Sequence, residues 1–232
     1  MKGTLNKFST QNKTFVVLPA KNEANRIEPV LVKLQLQGFK NIIVVNDGSD
    51  DNTAEVVSKY RDVTLLDHVI NLGPGASTLT GIKCAVKKGA DVIITIDADN
   101  QHNPDNIHSL VEKLEEDDLD LVIGSRFMKK NDIPYSRLIF NFFGNLISFL
   151  ITGIYLTDSQ SGMKAMNRKF ASQLEIAFDG FEFCIEIIKQ AQIANAKIGQ
   201  VPIDVRYTKD TMSKGQNFLT GINMLVKLFN PF

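Results

Sequence analysis

Residues Asp91–His102 read Asp-Val-Ile-Ile-Thr-Ile-Asp-Ala-Asp-Asn-Gln-His, an apolar run followed by a polar one. A short apolar run with polar boundaries is typical of a buried β-strand. We therefore predict a strand over Asp91–Ile96. Asp97 and Asp99 then follow directly beyond its carboxyl end.

The same alternation extends outward over the first half of the chain. Four more apolar runs predict strands at Thr14–Leu18, Asn41–Val45, Val63–Leu66 and Leu119–Ile123. Helical spacing separates the strands at Asn25–Gln37, Asp51–Tyr60, Ala76–Lys88 and Pro104–Glu116. Apolar strands alternating with helices predict an α/β fold with a central, mostly parallel sheet flanked by helices. Ligands of such sheets bind beyond the carboxyl ends of the strands.

The second half of the chain is less regular. We expect helices at about 135–156, 168–174 and 181–194, strands at 162–166 and 197–205, and an amphipathic helix at about 217–230. No internal repeat, low-complexity tract or clean boundary divides the chain. We therefore expect a single domain over residues 1–232.

Composition excludes several classes of protein. The chain has 26 Lys and Arg against 26 Asp and Glu, so its formal net charge is zero and no global field favours nucleic acid. Cys84 and Cys184 are far apart, and we expect two buried free thiols. Residues Met1–Lys13 are polar, unlike a secretory signal, so we expect a cytoplasmic location.

Asp97 and Asp99 are the central chemical feature. Paired carboxylates repel each other unless a cation compensates them. Mg²⁺ or Mn²⁺ fits, because these ions take oxygen ligands and commonly complete their shell with phosphate. Gln101 adds a neutral oxygen. The competing interpretation is that these residues are loop acids capping the helix after Pro104.

Two other strand ends carry polar motifs. After the second strand, Gly48 suits a turn, and Asp47 has the chemistry to accept a base N–H or a ribose hydroxyl. After the first strand, Glu23 could line a nucleotide pocket and Lys21 could meet a phosphate. An ordinary turn with a good helix cap, and a helix-terminal acid favoured by the dipole, remain open for these loops.

A fourth motif, Asn71–Ser77, opens a helix with two glycines that allow an anion to approach backbone N–H groups. It matches neither a Walker loop nor a dinucleotide fingerprint.

The ordered set PAKNE, VVNDGSDD, NLGPGAS, IDADNQH, GSRF and DSQSGMKAMNR, between Thr14 and Lys214, resembles family 2 glycosyltransferases with the GT-A fold. Within that family it is most similar to the synthases of polyprenyl-phosphate (dolichyl-phosphate) mannose or glucose. The chain departs from the family pattern at Lys21, Asn46 and Pro74, which leaves the sugar and the nucleotide open.

The resemblance implies a role for each matching position. It assigns Pro19, Ala20, Glu23 and Asp47 to the nucleoside pocket, and Asp97, Asp99 and Gln101 to the metal and diphosphate. It assigns Arg126 to the phosphates or acceptor, Asp158, Ser161 and Gly162 to the sugar and acceptor side, and Arg206 and Lys214 to a basic loop over the donor. Glu182 and Glu186 lie where the family often carries an acidic residue. Asp99, Arg126, Asp158 and Glu182 are the expected catalytic residues.

The implied reaction is inverting transfer of a hexosyl group from a UDP- or GDP-sugar to a polyprenyl phosphate. A lipid phosphate is already ionised and needs no base, whereas a hydroxyl acceptor, soluble or on a polysaccharide, would need Asp158 or Glu182. A sugar-1-phosphate nucleotidyltransferase is a third interpretation, and it predicts a Gly-rich loop that Pro19–Glu23 does not provide. A non-catalytic sugar-nucleotide-binding module is the fourth.

The segment Leu138–Leu156 is apolar enough to raise the question of a membrane. A single span there would separate Asp97 from Asp158, so we do not expect the segment to cross. It either lies in the interface, peripheral at the cytoplasmic membrane face with Lys129, Lys130 and Arg137 near headgroups, or packs in a core or oligomer. The segment at about 217–230 has the same two interpretations.

Overall fold

The computed structural model describes residues 13–178, 180 and 182–207. Its seven strands are β1 (Thr14–Ala20), β2 (Asn41–Asp47), β3 (Val63–His68), β4 (Val92–Thr95), β5 (Leu121–Ser125), β6 (Lys164–Asn167) and β7 (Ile198–Pro202). They form one sheet in the order β3-β2-β1-β4-β6-β5-β7. This mostly parallel sheet confirms the predicted α/β architecture.

In the described part of the chain, seven α-helices accompany the strands: α1 (Ile27–Leu36), α2 (Thr53–Ser58), α3 (Pro74–Lys87), α4 (Ile107–Glu116), α5 (Tyr135–Thr152), α6 (Arg168–Ala171) and α7 (Phe183–Ile193). A 3-10 turn at Pro104–Asn106 precedes α4. Successive residues of β1 point to opposite faces, so Val16 packs with α1, α2 and α4 while Val17 packs with α3 and α7. Two apolar layers therefore fix the sheet and hold its loops in place.

Strand β6 is the exception to the parallel sheet. It runs antiparallel to β4 and to β5, with Lys164 opposite Thr95 and Ile123. It therefore begins at the edge where β4 and β5 end. The turn that precedes β6, including Ser161 and Gly162, is brought beside the residues that follow β4.

The structure also bears on the two cysteines and on the apolar helices. Cys84 and Cys184 are free thiols, as predicted, and Cys184 is buried. The prediction that Cys84 is buried was wrong, because its side chain is partly exposed on α3. Within the described residues, no helix is long and apolar enough to cross a membrane. The expected helix at about 217–230 and the predicted site residue Lys214 lie outside the described residues.

Candidate active site

A cavity of about 390 Å³ opens at the carboxyl ends of β1, β2 and β4. The predicted residues that line it are Pro19, Ala20, Lys21, Glu23, Asp47, Asp97, Asp99, Gln101, Arg126 and Gly162. They come from loops that are far apart in sequence, and the parallel strands bring those loops together.

The loop after β4 aims both aspartates at this cavity. Asn100 adopts φ 61°, a left-handed conformation that asparagine tolerates better than most residues. The Asp99 carboxylate accepts a hydrogen bond of 2.9 Å from the backbone N–H of Gln101. Asp97 is held from two sides, with His102 Nε2 3.3 Å from its Oδ2 and the backbone of Gly162 packed against its carboxylate.

The two carboxyl groups differ in acidity. Burial raises the pKa of Asp97, but contact with His102 and the charges of Lys164 and Arg126 outweigh it, so that the net pKa lies below its usual value. Burial and the negative charge of Asp97 together raise the pKa of Asp99 to about 6. A cation at this loop would favour the ionised form of Asp99 and lower its pKa.

The donor set fits a hard divalent ion whose shell is completed by a ligand. Among the described residues, no three acidic, histidine or cysteine side chains form a closed metal cluster. Asp97, Asp99 and Gln101 nevertheless line the same cavity. Mg²⁺ and Mn²⁺ commonly bind through one or two carboxylates together with water and phosphate oxygens.

The predicted nucleoside residue Asp47 is held rigidly. Its Oδ1 accepts from the Leu72 N–H at 2.9 Å and lies 2.8 Å from His68 Nδ1, and its Oδ2 accepts from the Gly73 N–H at 2.8 Å. His68 in turn contacts Thr80 Oγ1 at 3.1 Å. Asp47 therefore shapes the glycine-containing loop before α3 as well as lining the cavity.

The loops after β1 and β2 are tied to each other. Lys21 Nζ donates to the Gly48 carbonyl at 2.6 Å and lies 3.4 Å from Asp50. Within the loop after β1, the Glu23 carboxylate pairs with Arg26 Nε at 2.7 Å. Lys21 therefore joins two loops of the cavity wall, a role that differs from the phosphate contact we considered for it.

Arg126 and Asp158 form a buried ion pair that the sequence does not reveal. Asp158 is fully buried and accepts from the Arg126 backbone N–H at 3.0 Å, from Nε at 2.6 Å and from Nη2 at 2.7 Å. Its carboxylate charge raises the pKa of Arg126 despite burial. Asp158 does not line the cavity, so it positions Arg126, which does. This geometry argues against Asp158 as a general base.

The other predicted residues lie outside the cavity wall. Glu182 is buried at the start of α7, and its carboxylate lies against Gly180. The Arg206 backbone N–H donates to the Gln101 carbonyl at 2.9 Å, but its exposed side chain is not part of the cavity wall.

Sequence reasoning missed several residues of the wall. Arg137, Phe140 and Asn141 project from one face of α5, and His102 and Gln160 complete the same region. The helical spacing of residues 137, 140 and 141 was a usable signal, since it places them on a common face. The apolar character of the segment instead indicates a membrane or packing surface.

The mostly parallel sheet, with a paired-aspartate cavity at the carboxyl ends of its strands, is the arrangement of a GT-A glycosyltransferase domain. The chain belongs to glycosyl transferase family 2, whose pattern matches residues 15–174.

Relatives of known sequence support this placement over nearly the whole chain. An uncharacterized protein of Methanocaldococcus jannaschii is 40% identical, with 94% of this chain and 91% of that protein covered. A UDP-N-acetylglucosamine–dolichyl-phosphate N-acetylglucosaminyltransferase of Methanococcus voltae is 32% identical, with 92% and 94% covered. The predicted resemblance to enzymes of dolichyl and polyprenyl phosphate is thereby confirmed.

A solved structure supports the fold alone. Glucosyl-3-phosphoglycerate synthase of Mycobacterium tuberculosis, in complex with Mn²⁺, UDP and phosphoglyceric acid, aligns with a TM-score of 0.72 at 19% identity. The alignment covers 99% of this chain and 81% of that protein.

Proposed function

We propose that this chain transfers a hexosyl group, with inversion, from a UDP- or GDP-sugar to a polyprenyl phosphate. The observation that carries the proposal is the shared cavity: Asp97 and Asp99 line one part of it, and Arg126 and Arg137 another. An acidic site for a metal-bound diphosphate thus adjoins a basic site suited to a second phosphate. The named activity of the Methanococcus voltae relative, which uses dolichyl phosphate, supports the same reading.

On the donor side, Pro19, Ala20, Glu23 and Asp47 would enclose the nucleoside. Mg²⁺ or Mn²⁺ held by Asp97, Asp99 and Gln101 would neutralise the charge that develops on the leaving diphosphate. The Mycobacterium tuberculosis neighbour, whose complex contains Mn²⁺ and UDP, supports this choice of ligand and metal. Arg206 and Lys214 remain proposed contributors from the chain that follows β7.

On the acceptor side, an ionised phosphate oxygen attacks the anomeric carbon. The bond from that carbon to the donor diphosphate breaks, and a nucleoside diphosphate leaves. The nucleophile carries no proton, so the reaction needs no general base. This fits a site in which the Asp158 carboxylate is engaged in an ion pair with Arg126. Glu182 remains a proposed acidic residue near the acceptor end.

Helix α5 supports a lipid acceptor because it buries polar side chains and exposes apolar ones. Asn141, Ser148 and Thr152 are buried, whereas Phe142 and Leu150 are 64% and 71% exposed. Other exposed apolar side chains on this helix are those of Tyr135, Leu138, Ile139, Phe143, Leu146 and Phe149. Large contiguous apolar surfaces mark interaction sites. We propose that this face enters the interface of an anionic membrane, with Lys129 and Lys130 near the headgroups.

The test is a transfer assay that crosses donors with acceptors. UDP- and GDP-linked hexoses would each be offered to polyprenyl phosphate in vesicles and to free sugars, with and without Mn²⁺. We expect a metal-dependent glycolipid product of inverted configuration from one donor class. Transfer only to free sugars would instead support the hydroxyl-acceptor alternative.

A further inference from the structure

Lys164 in β6 is a buried cation that the proposed mechanism does not use. It is 1% exposed and lies in the middle of the sheet, between β4 and β5. Its Nζ donates to the Ser161 carbonyl, lies 3.4 Å from Cys184 Sγ and stands 5.7 Å from the centre of the Phe183 ring. Among the described residues, these contacts are all with neutral groups.

An ammonium group in such a place is costly. Removing a charge from water costs several kcal/mol even after relaxation of the protein, and it is repaid only by good ionic partners. A carbonyl, a thiol and an aromatic ring repay it in part. A hydrophobic residue of similar length would therefore suit this position at least as well if stability alone mattered.

The position of Lys164 relates it to the acidic loop. Its hydrogen bond fixes Ser161, and the next residue, Gly162, packs against the carboxylate of Asp97. The Gly162 carbonyl also accepts from Thr95 Oγ1 at 2.8 Å. The Lys164 ammonium group therefore lies directly behind the turn that contacts the Asp97 carboxylate. One side chain thus supports the turn behind Asp97 and adds a fixed charge to the site.

We propose that Lys164 is a positioning residue that holds the Ser161–Gly162 turn against Asp97 and favours a bound diphosphate over a bare metal ion. This inference rests on the proposed function. A fixed positive charge near the acidic loop opposes a divalent cation that binds alone and attracts the negative nucleotide. Its removal should therefore change the two affinities in opposite directions.

The experiment compares Lys164→Met, which removes the charge, with Lys164→Arg, which keeps it. Mn²⁺ alone would be titrated by the loss of the free-ion magnetic resonance signal. UDP and GDP at saturating Mn²⁺ would be titrated by calorimetry. Lys87→Met, an exposed change of the same charge at the end of α3, is the control.

For Lys164→Met we expect Mn²⁺ alone to bind about threefold more tightly and the nucleotide at least about threefold more weakly. We expect Lys164→Arg and Lys87→Met to keep both affinities within about twofold of wild type. Weakening of both ligands, no change in either, or a Lys164→Met chain that does not fold would assign Lys164 a structural role and overturn the proposal. A wild-type protein that binds neither ligand would contradict the proposed function itself.

Discussion

Gly162 and Asp97 are packed so closely that no side chain fits between them: a Cβ on Gly162 would lie 2.2 Å from Asp97 Oδ2. Separations under 3.0 Å at a Cβ require something to move. The two residues meet because β6 enters the sheet antiparallel to β4. The turn before β6 thereby sets the position of the first aspartate of the metal loop.

Gly162→Ala should therefore displace Asp97. We expect the affinity for a nucleotide with Mn²⁺ to fall at least about tenfold, because a shifted carboxylate cannot share the ion with Asp99. Calorimetric titration measures this. Gly81→Ala, which would crowd Val17 Cγ1 at 2.2 Å in the layer between α3 and β1, is the control. That variant should lose stability and keep its nucleotide affinity, and a similar affinity loss in both variants would contradict the account.

Asp99→Asn should stabilise the metal-free protein at neutral pH. The folded pKa of Asp99, about 6, is raised above the unfolded value, so the folded state binds more protons between about pH 4 and 6. Stability is therefore lost as the pH rises through this window. Relative to wild type, Asp99→Asn should gain about 1–3 kcal/mol at pH 7.5 compared with pH 4, measured by melting without metal.

Asp105→Asn is the matched control for that measurement. Its hydrogen bond with Lys33 lowers the pKa of Asp105, so its contribution to stability is present at neutral pH and is lost as the pH falls. This variant should be less stable than wild type at pH 7.5, the opposite sign to Asp99→Asn. Equal pH dependence of stability in both variants would show that folding does not raise the pKa of Asp99.

Arg126→Lys should weaken binding of the acceptor more than binding of the donor. Lysine keeps a charge near Asp158 but cannot reproduce the two-pronged contact through Nε and Nη2. We expect KM for polyprenyl phosphate to rise at least about tenfold, with nucleotide affinity within about threefold of wild type. Steady-state kinetics with either substrate varied separates the two effects. A loss confined to nucleotide affinity would place Arg126 on the donor instead.

Charge on the outer face of α5 should abolish vesicle binding. The double variant Phe142→Glu and Leu150→Glu places two carboxylates on side chains that are well exposed, so the fold should tolerate it. We expect loss of co-sedimentation with vesicles containing anionic lipid, and retained transfer to a short, water-soluble prenyl phosphate. Leu36→Glu, at a residue 82% exposed on α1, should change neither. Unchanged sedimentation of the double variant would contradict the proposed contact between α5 and a membrane.

The sequence allowed the sheet edge to be predicted because apolar runs mark buried strands and parallel strands end together. Asp47 and Asp97 could thus be placed in one cavity without knowledge of a single contact. The direction of β6 could not be predicted, because the residue types of a short strand do not show whether it runs parallel or antiparallel to its neighbours. Nor could the pairing of Arg126 with Asp158, since 32 residues separate them and only the packed turn brings them together.

The buried face of helix α5 is a second feature that could not be predicted from the sequence. Its spacing predicts that Asn141, Asn145 and Ser148 share one side, but residue type alone would turn that side to water. The structure turns it inward because the Asn145 side chain bonds to the Ser159 N–H at 2.9 Å and to the Thr157 carbonyl at 2.6 Å. Polar groups of the acceptor-side turn therefore decide which face of the helix is exposed.

The most direct test of the central claim is calorimetric titration of UDP and GDP into wild type and Asp97→Asn, each with and without Mn²⁺. We expect one nucleotide to bind wild type at least about tenfold more tightly with Mn²⁺ than without it, because an ion held by Asp97 and Asp99 would neutralise the charge of the diphosphate. Asp97→Asn should lose that dependence. Equal affinity with and without metal, unaltered by the substitution, would contradict a metal-bound diphosphate at Asp97 and Asp99.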